Sequence, residues 1–433
     1  MAHPRQRSRL SQELIDAIVD YLSDGLTPDF ANLRACSLVA RPFVHRCQQR
    51  LFSSVRLYTA PHPFCVCGDD DAAVQTTVNM AQLLVSSPHL GAYVKEVSIA
   101  YPKTESLFLD TENSDYLRAL IDIFTAIPAL ETLSIQPRAI NWDDIWNIYP
   151  VPPELVQAIL PAAPCKSLRR LELTRVHLKN MTELEDMLKL ANNLRELVLR
   201  DIMIYEPADG DGDSDSSGPR TPRTPEKREV LLESLELRVV PSYFFQEALE
   251  AFQDIRTFTN LRTVCIDEYD DFILDSNAET LEEIFLIRRH GQDVHLIGRA
   301  LLDLLSGPVL RELHLKLTSD LTNLDTNIQH IRNLTNTRSA FASDKSIFIN
   351  LQDTGLLEES KLLSAIDDLF GGAHVEPGPR RVVMQLAFTG KMQEVREWMP
   401  RLDTRGVLEV VELTDAQFAA ATKHYRCSEC SEA

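Results

Sequence analysis

The sequence predicts an α/β chain in which a short helical unit precedes an array of parallel strand-and-helix repeats. Two observations carry that reading. A six-residue apolar pattern recurs along the body of the chain, and a helix-period apolar stripe opens it. A third observation, a net charge of −20 from 64 acidic and 44 basic side chains, narrows the classes of function.

The recurring pattern is hydrophobic-x-x-hydrophobic-x-hydrophobic. It reads VKEVSI from Val94, LETLSI from Leu130, LRRLEL from Leu168 and LRELVL from Leu194. It continues with LESLEL from Leu232, LRTVCI from Leu261, LEEIFL from Leu281 and LRELHL from Leu310, and a weaker LEVVEL starts at Leu408. Successive starts of the first eight lie 36, 38, 26, 38, 29, 20 and 29 residues apart. The later positions alternate, as a short half-buried strand requires. Between them the period turns helical. SDYLRALIDIFTAIP carries Leu117, Leu120, Ile121, Phe124 and Ile127, and Pro128 ends it. MTELEDMLKLANN and HLIGRALLDLLSGP repeat the arrangement.

Strand, loop and helix at this interval resemble leucine-rich repeats, whose units share one core by stacking. The usual Asn or Cys three positions past the last leucine is missing. Pro102, Arg138, Val176, Ile202, Val240, Tyr269, Arg289 and Thr318 stand there. The expectation is therefore an irregular solenoid. A doubly wound sheet would need longer buried strands and a glycine-rich ligand turn, and the sequence has neither.

Near the amino terminus, LSQELIDAIVDYL sets Leu10, Leu14, Ile18 and Leu22 four residues apart, and Ile15 and Val19 widen the stripe. Ser11 is placed to cap this helix, and Glu13 suits its first turn. FANLRACSLVARPF follows with Leu33, Cys36, Leu38, Val39 and Phe43, and Pro42 is expected to kink or end that helix. HRCQQRLFSSVRL closes the unit. From spacing alone the unit reads equally well as a helical cap on the repeats or as a hook for a partner.

These segments resemble the F-box of fungal F-box proteins. Leu10, Glu13, Leu14, Ile18, Leu33, Cys36, Leu38, Val39, Arg41 and Phe43 match its pattern, whereas Ser11 replaces the usual proline and a long loop separates the first two helices. The resemblance implies docking on the Skp-type adaptor of a cullin–RING ubiquitin ligase, through Leu10, Leu14, Ile15, Ile18, Leu22, Leu33, Leu38, Val39 and Phe43. The fold expected is thus a three-helix F-box-like unit over 1–60, then an irregular leucine-rich-repeat solenoid over 61–318. Residues 319–433 read as decayed repeats and a cap.

Residues 205–228, YEPADGDGDSDSSGPRTPRTPEKR, are expected to be a disordered insertion. Thr221 and Thr224, each followed by proline, are candidate phosphorylation sites there. DGDGDSDSSGPR departs from a calcium loop, with Ser214 at the glycine position and Arg220 at the bidentate glutamate position. Cys427 and Cys430 with His424 lack a fourth zinc ligand at usable spacing. The eight cysteines follow no disulfide framework and are expected to be reduced thiols.

No phosphate-binding loop, nucleophile elbow, dinucleotide fingerprint or zincin helix appears, so no enzyme, metal or cofactor is expected. The acidity argues against nucleic acid as a partner. No secretory signal and no eighteen-residue apolar run is read, which predicts a cytoplasmic or nuclear protein without a membrane span. The partners expected are the adaptor and a target protein.

For the target, the expected surface is the strand face turned away from the core. Its central column would read Ser98, Ser134, Glu172, Val198, Glu236, Cys265, Phe285, His314. Its neighbour would read Ala100, Gln136, Thr174, Arg200, Arg238, Asp267, Ile287, Lys316. Cys265, Phe285, Ile287 and His314 form the expected target-binding patch, either exposed or covered by the C-terminal segment.

Overall fold

The computed structural model describes residues 11–23, 30–39, 41–57, 70–101, 115–137, 159, 167–178, 188, 191, 193–200, 202–204, 232–238, 260–266, 271–287, 304, 307–317, 345–351, 356–371, 379–386, 391–414 and 417. It is a mixed α/β chain in which the longer strands pair in parallel. Two compact units divide it: Met1–Asn193 with Ile204–Glu206, and Leu194–Met203 with Pro207–Ala433.

In the first unit, helices α1 (Gln12–Ser23), α2 (Phe30–Val39) and α3 (Arg41–Phe52) precede strand β1 (Ser54–Leu57). Helix α2 stops at Val39, shortly before Pro42. Pro42 sits in the first turn of α3, where its missing N–H is no loss. Helices α4 (Asp70–Ser86) and α5 (Pro88–Gly91) precede β2 (Glu96–Tyr101), and α6 (Asp115–Ala126) precedes β3 (Thr132–Pro137) and β4 (Arg170–Thr174). Strands β1 to β4 pair in chain order. The sheet therefore begins at residue 54, ahead of the boundary expected at 60.

The second unit pairs eight strands, again in chain order. They are β6 (Glu196–Arg200), β8 (Ser234–Arg238), β9 (Thr263–Ile266), β10 (Glu283–Ile287), β11 (Glu312–Leu317), β12 (Ser346–Leu351), β13 (Arg381–Leu386) and β14 (Leu408–Glu412). The two-residue strands β5 (His177–Leu178) and β7 (Met203–Ile204) stand apart from these rows. Helices α7 (Asp271–Ser276), α8 (Leu356–Gly371), α9 (Met392–Trp398) and α10 (Pro400–Thr404) belong here too, with α8 packed on α9 and α10.

All three hydrophobic positions of each of the eight clear sequence units are buried, none above 7% exposed. Sheltering one such side chain contributes roughly 1.5–3 kcal/mol, so the repeat positions dominate the core. Register is fixed at the strand entries, where one carbonyl accepts two N–H groups from the next unit. Glu131 and Thr132 both donate to the Lys95 carbonyl, and Arg311 and Glu312 to that of Glu282. At several steps the side chains at this position are oppositely charged neighbours. Lys95 pairs with Glu131 at 2.9 Å and Arg195 with Glu233 at 2.7 Å, while Glu282 lies 3.7 Å from both Arg262 and Arg311.

Several expectations are corrected. The inward face of α6 is Tyr116, Ala119, Leu120, Ile123 and Phe124, so the buried stripe is rotated from the one drawn through Leu117 and Ile121. The weak ninth repeat is displaced by three residues. Leu408 pairs with Val382, which pairs with Ile347, so Leu408 is the first inward residue of a strand rather than the residue before one. Gly406, at φ +69, makes the turn that sets this register. At the described Asn/Cys positions, Val176 and Ile202 are both fully buried. Residues 205–228 lie outside the described residues.

Candidate docking face on the N-terminal helices

Helix α1 begins where Ser11 accepts at Oγ from the Leu14 N–H (3.4 Å) and at its carbonyl from Ile15 N–H (3.1 Å). The backbone N–H of Glu13 itself, and then the hydroxyl of Ser11, hold the Glu13 carboxyl below its ordinary range. Asp20, one turn before the end of α1, accepts from Arg46 and Arg50 of α3 and ties those helices together.

The apolar stripe of α1 splits into two. Ile15 and Val19 are buried and Leu22 packs beside them, at i, i+4 and i+7. They form one cluster with Leu33 of α2 and Cys47 of α3, against which Cys36, Phe43 and Leu51 also pack. One residue back, Leu14, Ile18 and Tyr21 repeat the same spacing, about 1.5 Å along the axis and about 100° around the helix, as 3.6 residues per turn requires. Those three remain 48%, 38% and 85% exposed. On α2, Phe30, Leu38 and Val39 are exposed as well, Leu38 and Val39 at 86% and 74%.

The nine residues expected to meet an adaptor thus fall into groups. Leu14, Ile18, Leu38 and Val39 are available at the surface. Ile15 and Leu33 are buried, and Leu22 and Phe43 are partly buried against the same core, so these four hold the helices together instead of offering contacts. Leu10 lies outside the described residues. Tyr21 and Phe30 were missed. Tyr21 was legible as i+7 from Leu14, but Leu22 beside it drew the stripe away.

The strand face offers a second surface. In the first unit Arg56, Ser98, Ser134 and Glu172 align across β1 to β4. With Gln136 and Arg170 they line an open polar groove of about 510 Å³. In the second unit the expected column is realised as Val198, Glu236, Cys265, Phe285, His314, and it runs on through Phe348, Val383 and Glu409.

His314 is sandwiched there. The Phe285 ring stacks on it at 4.2 Å and 18°, and the Phe348 ring at 4.4 Å and 5°. Neighbouring strands are about 4.8 Å apart, so aligned flat side chains meet face to face. His314 Nε2 lies 3.2 Å from Glu312 Oε2. Arg200 Nε donates to Glu236 Oε1 at 2.7 Å.

Of the two alternatives left open for the late patch, an exposed one is not what the strands present, because Cys265 and Phe285 are 3% and 5% exposed. His314 is half-buried, and the side chain of Ile287 on β10 is outside the description. Phe348 was missed because no strand was read at SIFINL, although its alternation signals one. Thr221 and Thr224 also lie outside the described residues.

No protein-family model matches this chain, and no curated protein matches it. Among the described residues no helix is long and apolar enough to cross a membrane, and no group of three or more His, Cys, Asp or Glu is arranged to hold a metal ion.

Proposed function

We propose that this chain is the substrate-recognition subunit of a Skp–cullin–F-box type ubiquitin ligase, acting by binding and not by catalysis. In this reading α1 to α3 are an F-box that grips the Skp-type adaptor, and the strand array is an irregular leucine-rich-repeat solenoid that holds a target protein. The carrying observation is the set Leu14, Ile18, Tyr21, Leu38 and Val39, apolar side chains left at the surface of helices that already possess a core of their own. Large exposed apolar groups on a small unit favour association, since docking removes that area from water.

Strict chain-order pairing of parallel strands supports the solenoid part, because stacked repeats place each unit beside its sequence neighbours. Target contacts fit the polar groove of β1 to β4 better than the Phe285 stack, which is already covered. A second reading, a repeat scaffold with no ligase link, draws on the way α3 leads directly into β1. The protein would then act in the cytoplasm or nucleus as an interaction platform. Titrating the purified chain with a purified Skp-type adaptor in a calorimeter tests the choice. Saturable one-to-one binding is expected, and no heat of binding at 100 μM adaptor would leave the scaffold reading.

A further inference from the structure

Cys36 on α2 and Cys47 on α3 stand in one hydrophobic cluster, on helices that pack against each other across a one-residue joint. Their accessibility differs. Cys47 is fully buried, while Cys36 is half-buried and open to a small oxidant. Burial, and then the charge of nearby Cys36, push the Cys47 thiol above its ordinary range, so it stays protonated until a partner is activated beside it. A disulfide needs Cα atoms within about 7 Å, and Cys36 and Cys47 pack in the same side-chain cluster between two contacting helices.

We propose that Cys36 and Cys47 form a reversible disulfide that clamps α2 to α3 when the protein meets a peroxide. The Cys36 thiolate attacks one oxygen of hydrogen peroxide and the O–O bond breaks, giving a sulfenic acid and, with the proton released, one water. The Cys47 sulfur, losing its proton, then attacks the Cys36 sulfur. The S–O bond breaks and a second water leaves. Two thiols and one peroxide become one disulfide and two waters, and a small thiol such as glutathione reverses the link by exchange. The clamp acts on the last turn of α2, where Leu38 and Val39 follow Cys36. That consequence for docking rests on the adaptor reading above, whereas the disulfide itself does not.

Trypsin cuts after Arg46 and so separates the two cysteines into peptides 35–46 and 47–50. The full-length protein is treated with hydrogen peroxide, its remaining thiols are blocked, and the digest is weighed without reductant. The expected product is 35–46 joined to 47–50, restored to two free peptides by glutathione and absent from Cys47→Ser. Cys36 joined to another cysteine, or Cys36 driven to sulfinic acid with Cys47 still reduced, overturns the proposal. Adaptor titration of the oxidised and reduced forms adds the second readout, with at least a threefold loss of affinity expected on oxidation. Equal affinities in the two forms remove the regulatory half. No binding by the reduced form counts against the adaptor reading and leaves the disulfide standing.

Discussion

Asp20 on α1 accepts a bidentate pair of hydrogen bonds from Arg46 on α3, with Nε at 3.0 Å and Nη2 at 2.7 Å. Arg50 adds two more to the same carboxylate oxygen, Oδ1. Hydrogen bonding from Arg46 first, against the opposing effect of burial, holds the Asp20 carboxyl below its ordinary range. A depressed carboxylate stabilises the fold above its unfolded value, near 4, and that contribution is lost as pH falls through the folded value. Asp20→Asn should cost about 1 kcal/mol at pH 7, discounted for a partly solvated pair. Denaturant melts at pH 7 and pH 3 check this, and the gap between variant and parent should narrow at pH 3.

Phe285→Ala should destabilise the second unit by about 3 kcal/mol, the range for removing a buried ring. Since the ring also stacks on His314, a double-mutant cycle with His314→Ala should return a coupling of about 1 kcal/mol. Equilibrium unfolding of the two single variants and the double variant measures both. Additive losses would remove the stack as an energetic unit.

Glu283 sits beside two like charges. Burial first, then Glu312 and Glu282, push its carboxyl above the ordinary range. Here the sign reverses: the raised group favours folding below its unfolded value, and that advantage disappears as pH rises through the folded one. Glu283→Gln should therefore raise the melting temperature at pH 7 and leave it nearly unchanged at pH 4. A variant melting lower at pH 7 would contradict the like-charge account.

The period of the sequence reveals the repeat strands because each buries the same three positions, so Leu168, Leu171 and Leu173 announce β4 without any knowledge of its neighbours. Units that lose the first leucine escape that signal. SIFINL of β12 and RVVMQL of β13 have only alternation, and β14 is read three residues out of register because LEVVEL satisfies the motif by coincidence. On the N-terminal helices the amphipathic pattern identifies an apolar half but not how it is shared. Ile15 and Leu14 are equally apolar, and only the placement of α2 and α3 decides that Ile15 goes to the core and Leu14 to the surface. Burial of Phe285 was hidden for a similar reason, since its cover comes from residues on other strands, such as His314.

That division of α1 predicts opposite behaviour for adjacent residues. Ile15→Asp puts a charge into the core shared with Val19 and Leu33 and should unfold the three helices, seen as lost helical circular dichroism. Leu14→Asp changes a half-exposed side chain and should alter the melting temperature by less than about 2 °C, the scale of a 0.5 kcal/mol surface change.

The most direct test of the central claim is the affinity of Leu38→Asp for a purified Skp-type adaptor, measured by calorimetry beside the unmodified chain. Leu38 is 86% exposed, so the substitution leaves the fold intact while placing a charge on the proposed docking face. The account predicts at least a tenfold loss of affinity, about 1.4 kcal/mol, with an unchanged melting temperature. Binding as tight as that of the unmodified chain would contradict it.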